Sequence, residues 1–119
     1  MRSLVYREVC DGRGEFLPWV NALRNQSGAY VIRKRAGLFS GPQCLYVGES
    51  HTGNLAKTLK RHFYAWSDDA ERRHQTYDRN AVEVAVRVTP PTSAVAAQDN
   101  LIRRLEPRDN GYVPVEKPF

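Results

Sequence analysis

Gly28–Lys34 reads GAYVIRK and Cys44–Gly48 reads CLYVG, two short runs rich in β-branched and aromatic residues. Such residues favour a pleated, half-buried surface, so each run predicts a strand. The intervening GLFSGPQ carries two glycines and a proline, which suits a hairpin loop between antiparallel partners. A third strand is predicted over Ala81–Val88, where Val82, Val84, Val86 and Val88 alternate with Glu83 and Arg87.

Outward from these strands the period changes. Leu55, Leu59, Phe63 and Trp66 fall on one helical face and predict a helix over Leu55–Trp66, with Lys57, Lys60, Arg61 and His62 projecting elsewhere. Thr89–Ser93 stop the third strand and supply an N-cap for a last helix, Ser93–Leu105, which Pro107 closes. Before the hairpin, Leu4–Cys10 reads as a strand and Cys10–Gly14 as a turn. Phe16, Leu17, Trp19, Val20 and Leu23 then predict a short helix over Glu15–Leu23. The tail from Gly111 to Phe119, with two prolines, is expected to lie extended. The fold class expected is therefore α/β of the α+β kind, a small antiparallel three-stranded sheet flanked by helices. One domain is expected over residues 1–119, its core about 28–110.

Composition sets the outer limits. Of the 119 residues, 41% are apolar and 26% charged, the balance of an ordinary folded domain rather than a disordered or fibrous one. No apolar run approaches the roughly 20 residues needed to span a bilayer, and the N-terminus lacks the uncharged core of a signal peptide, so a cytoplasmic protein without a membrane partner is expected. Cys10 and Cys44, with no CxxC or Cys/His cluster, indicate neither a disulfide framework nor a structural zinc and are expected to be buried thiols. The 18 Lys and Arg exceed the 13 Asp and Glu, giving a net charge of +5 and favouring polyanions as partners.

The triplet Gly28, Ala29, Tyr30 on the first strand and Tyr46, Val47, Gly48 on the second, in that order, resemble the paired motifs that name the GIY-YIG nucleases. The helix LAKTLKRHF is similar to a later motif of the family. In NLIRRLEPRDN, the residues Asn100, Leu101, Ile102, Pro107, Arg108 and Asn110 resemble the pattern of its UvrC branch. The likeness runs from about Gly28 to Asn110. It implies hydrolysis of phosphodiester bonds, with DNA favoured over RNA as substrate but the two not told apart by the sequence, with Mg²⁺ or Mn²⁺ held by a glutamate, a tyrosine activating water, and an arginine at the scissile phosphate.

Carried onto this sequence, the resemblance gives a candidate catalytic set of Tyr30, Tyr46, Arg61, His62 and Gln98. Two positions depart from the family. Thr58 stands where the catalytic arginine is expected, and Arg61, three residues on, is the candidate substitute, with His62 one turn after Thr58. Gln98 stands where the metal-binding glutamate is expected, and a neutral amide is a poorer ligand for Mg²⁺ than a carboxylate. Asp99 points about 100° away on a helix, so Glu49, directly after Gly48, is the candidate compensating carboxylate.

A phosphate-tracking surface is expected from Thr58, Lys57, Lys60, Arg103, Arg104 and Arg108, with Arg72 and Arg73, provided that they share a face. Tyr64, Trp66 and Tyr77 are candidates for stacking on unpaired bases. The leading expectation is a divergent endonuclease. Its rivals are a domain that binds nucleic acid without cutting it and a protein-interaction module on the same fold. Oligomeric state and sequence preference are not legible.

Overall fold

The structure is a computed structural model that describes residues 3–63 and 77–111. Its centre is an antiparallel sheet of three strands, β1 (Ser27–Lys34), β2 (Gln43–Ser50) and β3 (Val82–Thr89), in the order β2-β1-β3. The hairpin places β2 beside β1, and β3 returns on the other side. A one-turn helix α1 (Pro18–Asn21) precedes the sheet, α2 (Leu55–Lys60) follows the hairpin, and a 3₁₀ turn at Pro91–Ser93 leads into α3 (Ala94–Leu105).

Because side chains alternate along a strand, the sheet sorts them into two cores. On one face Tyr30, Ile32, Val82 and Val84 pack with Val20 of α1 and Leu55 and Leu59 of α2. On the other, Ala29, Val31 and Val47 pack with Leu101 and Ile102 of α3. The central strand is thus covered on both sides, and Ala29 through Ile32 are at most 1% exposed. Burying one such aliphatic or aromatic side chain contributes about 1.5–3 kcal/mol, which explains why a hydrophobic run with no polar alternation sits in the middle.

The N-terminal segment corrects two expectations. Leu4–Cys10 forms no full strand: it touches β3 at one bridge, Arg7 to Val84, and Cys10 bridges to Phe16. That second bridge keeps Phe16 extended, so the helix expected from Glu15 begins only at Pro18, whose missing N–H is harmless in a first turn. The indole Nε1–H of Trp19 donates to the carbonyl of Glu8 at 2.8 Å. Helix α2 also ends early, at Lys60. His62 N–H and Phe63 N–H donate to Leu59 and Lys60, the three-residue spacing of a tightened turn. The expected continuation to Trp66 lies outside the described residues, as do Tyr64, Arg72, Arg73 and the tail beyond Gly111. Ser93 makes no side-chain cap bond, and α3 ends at Glu106, which adopts φ 45°. Both cysteines are free thiols, Cys10 buried but Cys44 only half-buried.

Each outer border of the sheet has a partner. Beside β2, the N–H groups of Arg108 and Asp109 donate to the carbonyls of Cys44 and Leu45, at 3.1 and 2.8 Å. The Asn110 side chain then completes the row, its Nδ2 donating to Val47 O at 2.8 Å and its Oδ1 accepting from Val47 N at 2.9 Å. Beside β3, Arg7 exchanges two backbone bonds with Val84, each 2.9 Å. Among the described residues, no helix is long and apolar enough to cross a membrane.

Candidate functional site

The register pairs Tyr30 with Gly48 and Ile32 with Tyr46, so Tyr30 and Tyr46 stand on the same face of the sheet, two positions apart along β2. Gly48 is what lets them meet. A Cβ at that position would lie 2.3 Å from the Tyr30 hydroxyl, so the Tyr30 ring lies flat across the bare backbone of β2. Gly28 answers a separate constraint: its φ of 150° and a Cβ that would fall 2.2 Å from the Arg87 carbonyl both exclude a side chain. The two motif glycines therefore have steric causes that are visible strand by strand.

His62 joins the two phenols from the turn after α2. Its Nε2 lies 2.7 Å from Tyr30 Oη, and its ring centroid is 4.7 Å from that of Tyr46, 5.6 Å from Tyr30 and 6.0 Å from Tyr77. Burial pushes the Tyr30 phenol above its ordinary value, a shift that the neighbouring Tyr46 adds to and Arg61 opposes. Tyr30 thus keeps its proton and shares a hydrogen bond with Nε2, each able to donate or accept according to the imidazole tautomer. Tyr30 is 1% exposed and bonded to His62, while Tyr46 is half-buried.

Tyr77 is the fourth ring, and its role differs from the base-stacking one expected. It is 4% exposed and donates to Asp109 Oδ2 at 2.8 Å. Burial first, and that bond second, hold its phenol above the ordinary range. Arg108 is committed to the same carboxylate through Nε at 2.7 Å and Nη2 at 2.9 Å. The chain Tyr77–Asp109–Arg108 ties the segment after α3 to the back of the aromatic cluster. Arg108 thereby clamps Asp109, although its side chain stays 53% exposed. Sequence reading missed Asp109 because its partner Tyr77 is 32 residues away.

The charged candidates divide by position. Arg61 is exposed, Thr58 half-buried one helical turn before His62, and both Arg61 and Glu49 lie near enough for their charges to act on the Tyr30 phenol. The Glu49 carboxylate contacts His51 Nδ1 at 3.1 Å. Gln98, Arg103 and Arg104 belong to α3, on the face opposite the phenols. Gln98 sits three and four residues before the buried Leu101 and Ile102, in the stripe turned to the sheet, with its amide 3.5 Å from Asp99 Oδ1. The expectation that Arg103 and Arg104 share the hollow's face is therefore corrected, and Gln98 is not gathered with Tyr30, Tyr46 and His62. Glu49 alternates with Gly48 and shares the α3 side with Val47, so Glu49 and Gln98 lie on one face.

The donor set does not fit a resident divalent ion. Gln98 offers a neutral amide, Glu49 is a single carboxylate beside His51, and among the described residues no three His, Cys, Asp or Glu side chains gather. Compared with known proteins, the sequence matches no family model, no curated protein and no solved structure.

Proposed function

We propose that the chain is a divergent endonuclease of the GIY-YIG type, acting on the phosphodiester backbone of DNA in the cytoplasm. The observation that supports this reading is the convergence of Tyr30, Tyr46 and His62 on one sheet face, with the Arg61 charge acting on the same phenol. A backbone phosphate over Tyr46 would meet the Arg61 guanidinium, which suits phosphate oxygens through parallel N–H bonds, and the Thr58 hydroxyl. Tyr46, packed against the His62 ring, orients the attacking water, whose oxygen bonds to phosphorus as the P–O bond to the leaving sugar oxygen breaks, while the water's proton passes through solvent to that oxygen.

A second reading, binding without cleavage, has its own support in the neutral amide of Gln98 and its place on the far face. Incubation of supercoiled plasmid and single-stranded DNA with Mg²⁺ or Mn²⁺ separates the two. The nuclease reading expects nicking by the unmodified chain, lost in Tyr46→Phe and unchanged in Gln98→Glu, whose side chain lies on the α3 face away from the phenols. No product from the unmodified chain but product from Gln98→Glu moves the conclusion to binding alone. No product from either removes the hydrolytic reading.

A further inference from the structure

Helix α2 also borders a cavity, on the flank away from Thr58. Thr58 and Lys60 are two positions apart, about 200° around a helix, so the flank that presents Thr58 toward His62 turns Lys60 the opposite way. There, a cavity of about 380 Å³ opens between the end of α1 with its following turn and the start of α2. Its size falls within the roughly 300–1,000 Å³ of ligand sites. Arg24, Lys57 and Lys60 line it together with Asn21, Asn25 and Asn54, and no carboxylate is among the lining residues.

That chemistry selects an anion. Three cations around one hollow repel each other, and an ordinary solubilising surface would intersperse Asp or Glu. The three amide side chains add N–H donors, which suit oxygen acceptors. Lys60 is also held in place: its ammonium bonds to Asn21 Oδ1 and lies 5.4 Å from the centre of the Phe16 ring. A pre-positioned ammonium loses less side-chain freedom when an anion arrives.

We infer that this cavity receives a second phosphate of the nucleic acid whose backbone enters the tyrosine hollow, so that the DNA straddles α2. The inference rests on the nucleic-acid reading above. The helix with its side chains is about 10–12 Å wide, which corresponds to about three nucleotides at roughly 3.4 Å of rise per strand. Arg61, about 100° from Lys60 around the helix, bridges the two hollows across its solvent side. The phosphate in the cavity is not the one cleaved. Its contact with Arg24, Lys57 and Lys60 sets where along the strand the tyrosine hollow is placed.

The test is fluorescence anisotropy of a labelled mixed-sequence DNA duplex, without divalent metal, between about 50 and 200 mM salt. Arg24→Ala/Lys57→Ala is compared with Arg103→Ala/Arg104→Ala, which removes equal charge from the α3 face. Arg24 and Lys57 are exposed, so the first variant should fold, and a thermal melt checks it. The expected result is a loss of about 0.9 in the slope of log affinity against log salt for the cavity variant, the value of one phosphate contact, with the α3 variant unchanged. Equal slopes in all three proteins, or equal losses in both variants, overturn the cavity while leaving DNA binding intact. No binding by the unmodified chain overturns the nucleic-acid reading itself. Stabilisation of the fold by inorganic phosphate that needs Arg24 and Lys57, without any change in DNA slope, assigns the cavity to free phosphate and also overturns the inference.

Discussion

One methyl group added at Gly48 tests the geometry of the tyrosine hollow. An ideal Cβ there falls 2.3 Å from Tyr30 Oη and 2.4 Å from Cζ, so the ring or the strand must shift. Gly48 is not among the positive-φ glycines, and its backbone accepts alanine without strain. The Tyr30 ring cannot swing freely, because it is 1% exposed and its hydroxyl is bonded to His62. Overpacking a tight core costs about 1–3 kcal/mol, and the disturbed hydrogen bond about 0.5–1.5 kcal/mol more. Gly48→Ala should therefore destabilise by about 2–4 kcal/mol, lowering the melting midpoint of a domain this size by on the order of 10 °C. Tyr30→Leu removes both clashing atoms. In that background the same Gly48→Ala change should be neutral or stabilising by about 0.5–1 kcal/mol, the ordinary gain of alanine over glycine in a strand. Urea titrations of the four proteins close the cycle, with an expected coupling of about 2 kcal/mol or more. Equal costs of Gly48→Ala in both backgrounds would refute the packing of Tyr30 over β2.

Three further outcomes follow from the same contacts. Tyr30→Phe takes from the buried His62 Nε2 its phenol partner and should cost about 1–3 kcal/mol in urea denaturation, with the His62 ring resonances moving in NMR. Asn110→Ala removes both side-chain bonds to Val47 and should cost about 1–3 kcal/mol, with faster hydrogen exchange at the Val47 amide. Burial, opposed by Arg33, pushes the Cys44 thiol up from 9.0 to about 11. The folded state then favours the neutral thiol. Its contribution to stability is whole below pH 9 and is lost as pH rises towards 11, so the melting midpoint of the unmodified chain should fall more steeply over that window than that of Cys44→Ala.

The three strands and the last helix were legible because their residues carry a period: the valines of β3 repeat every second position, and Leu101, Ile102 and Leu105 mark one side of α3. The shared side of Tyr30 and Tyr46 was legible too, since two strands joined by a hairpin fix which positions face alike. What sequence could not reach were contacts made across long separations. The Cys10–Phe16 and Arg7–Val84 bridges shorten the N-terminal helix and strand, and neither leaves a local pattern. Tyr77 read as one of three base-stacking candidates because Asp109, which receives its hydroxyl, lies 32 residues on, beyond β3 and α3 in the chain. The charges around α2 were counted as one patch, yet the helix divides them between two flanks, and α3 takes its arginines to the opposite side of the sheet.

The residues that border β2 and β3 also bear on how the molecule behaves at high concentration. Arg108–Asn110 occupy the donors and acceptors that another chain would use to extend the sheet laterally, and Arg7 does the same at a single point along β3. A chain cut after Leu105 would keep every described helix and strand but bare the margin of β2 from Cys44 to Val47. Its characteristic failure would then be association into oligomers through that margin, so the short run after α3 guards against lateral growth of the sheet while the aromatic cluster lies on a different face.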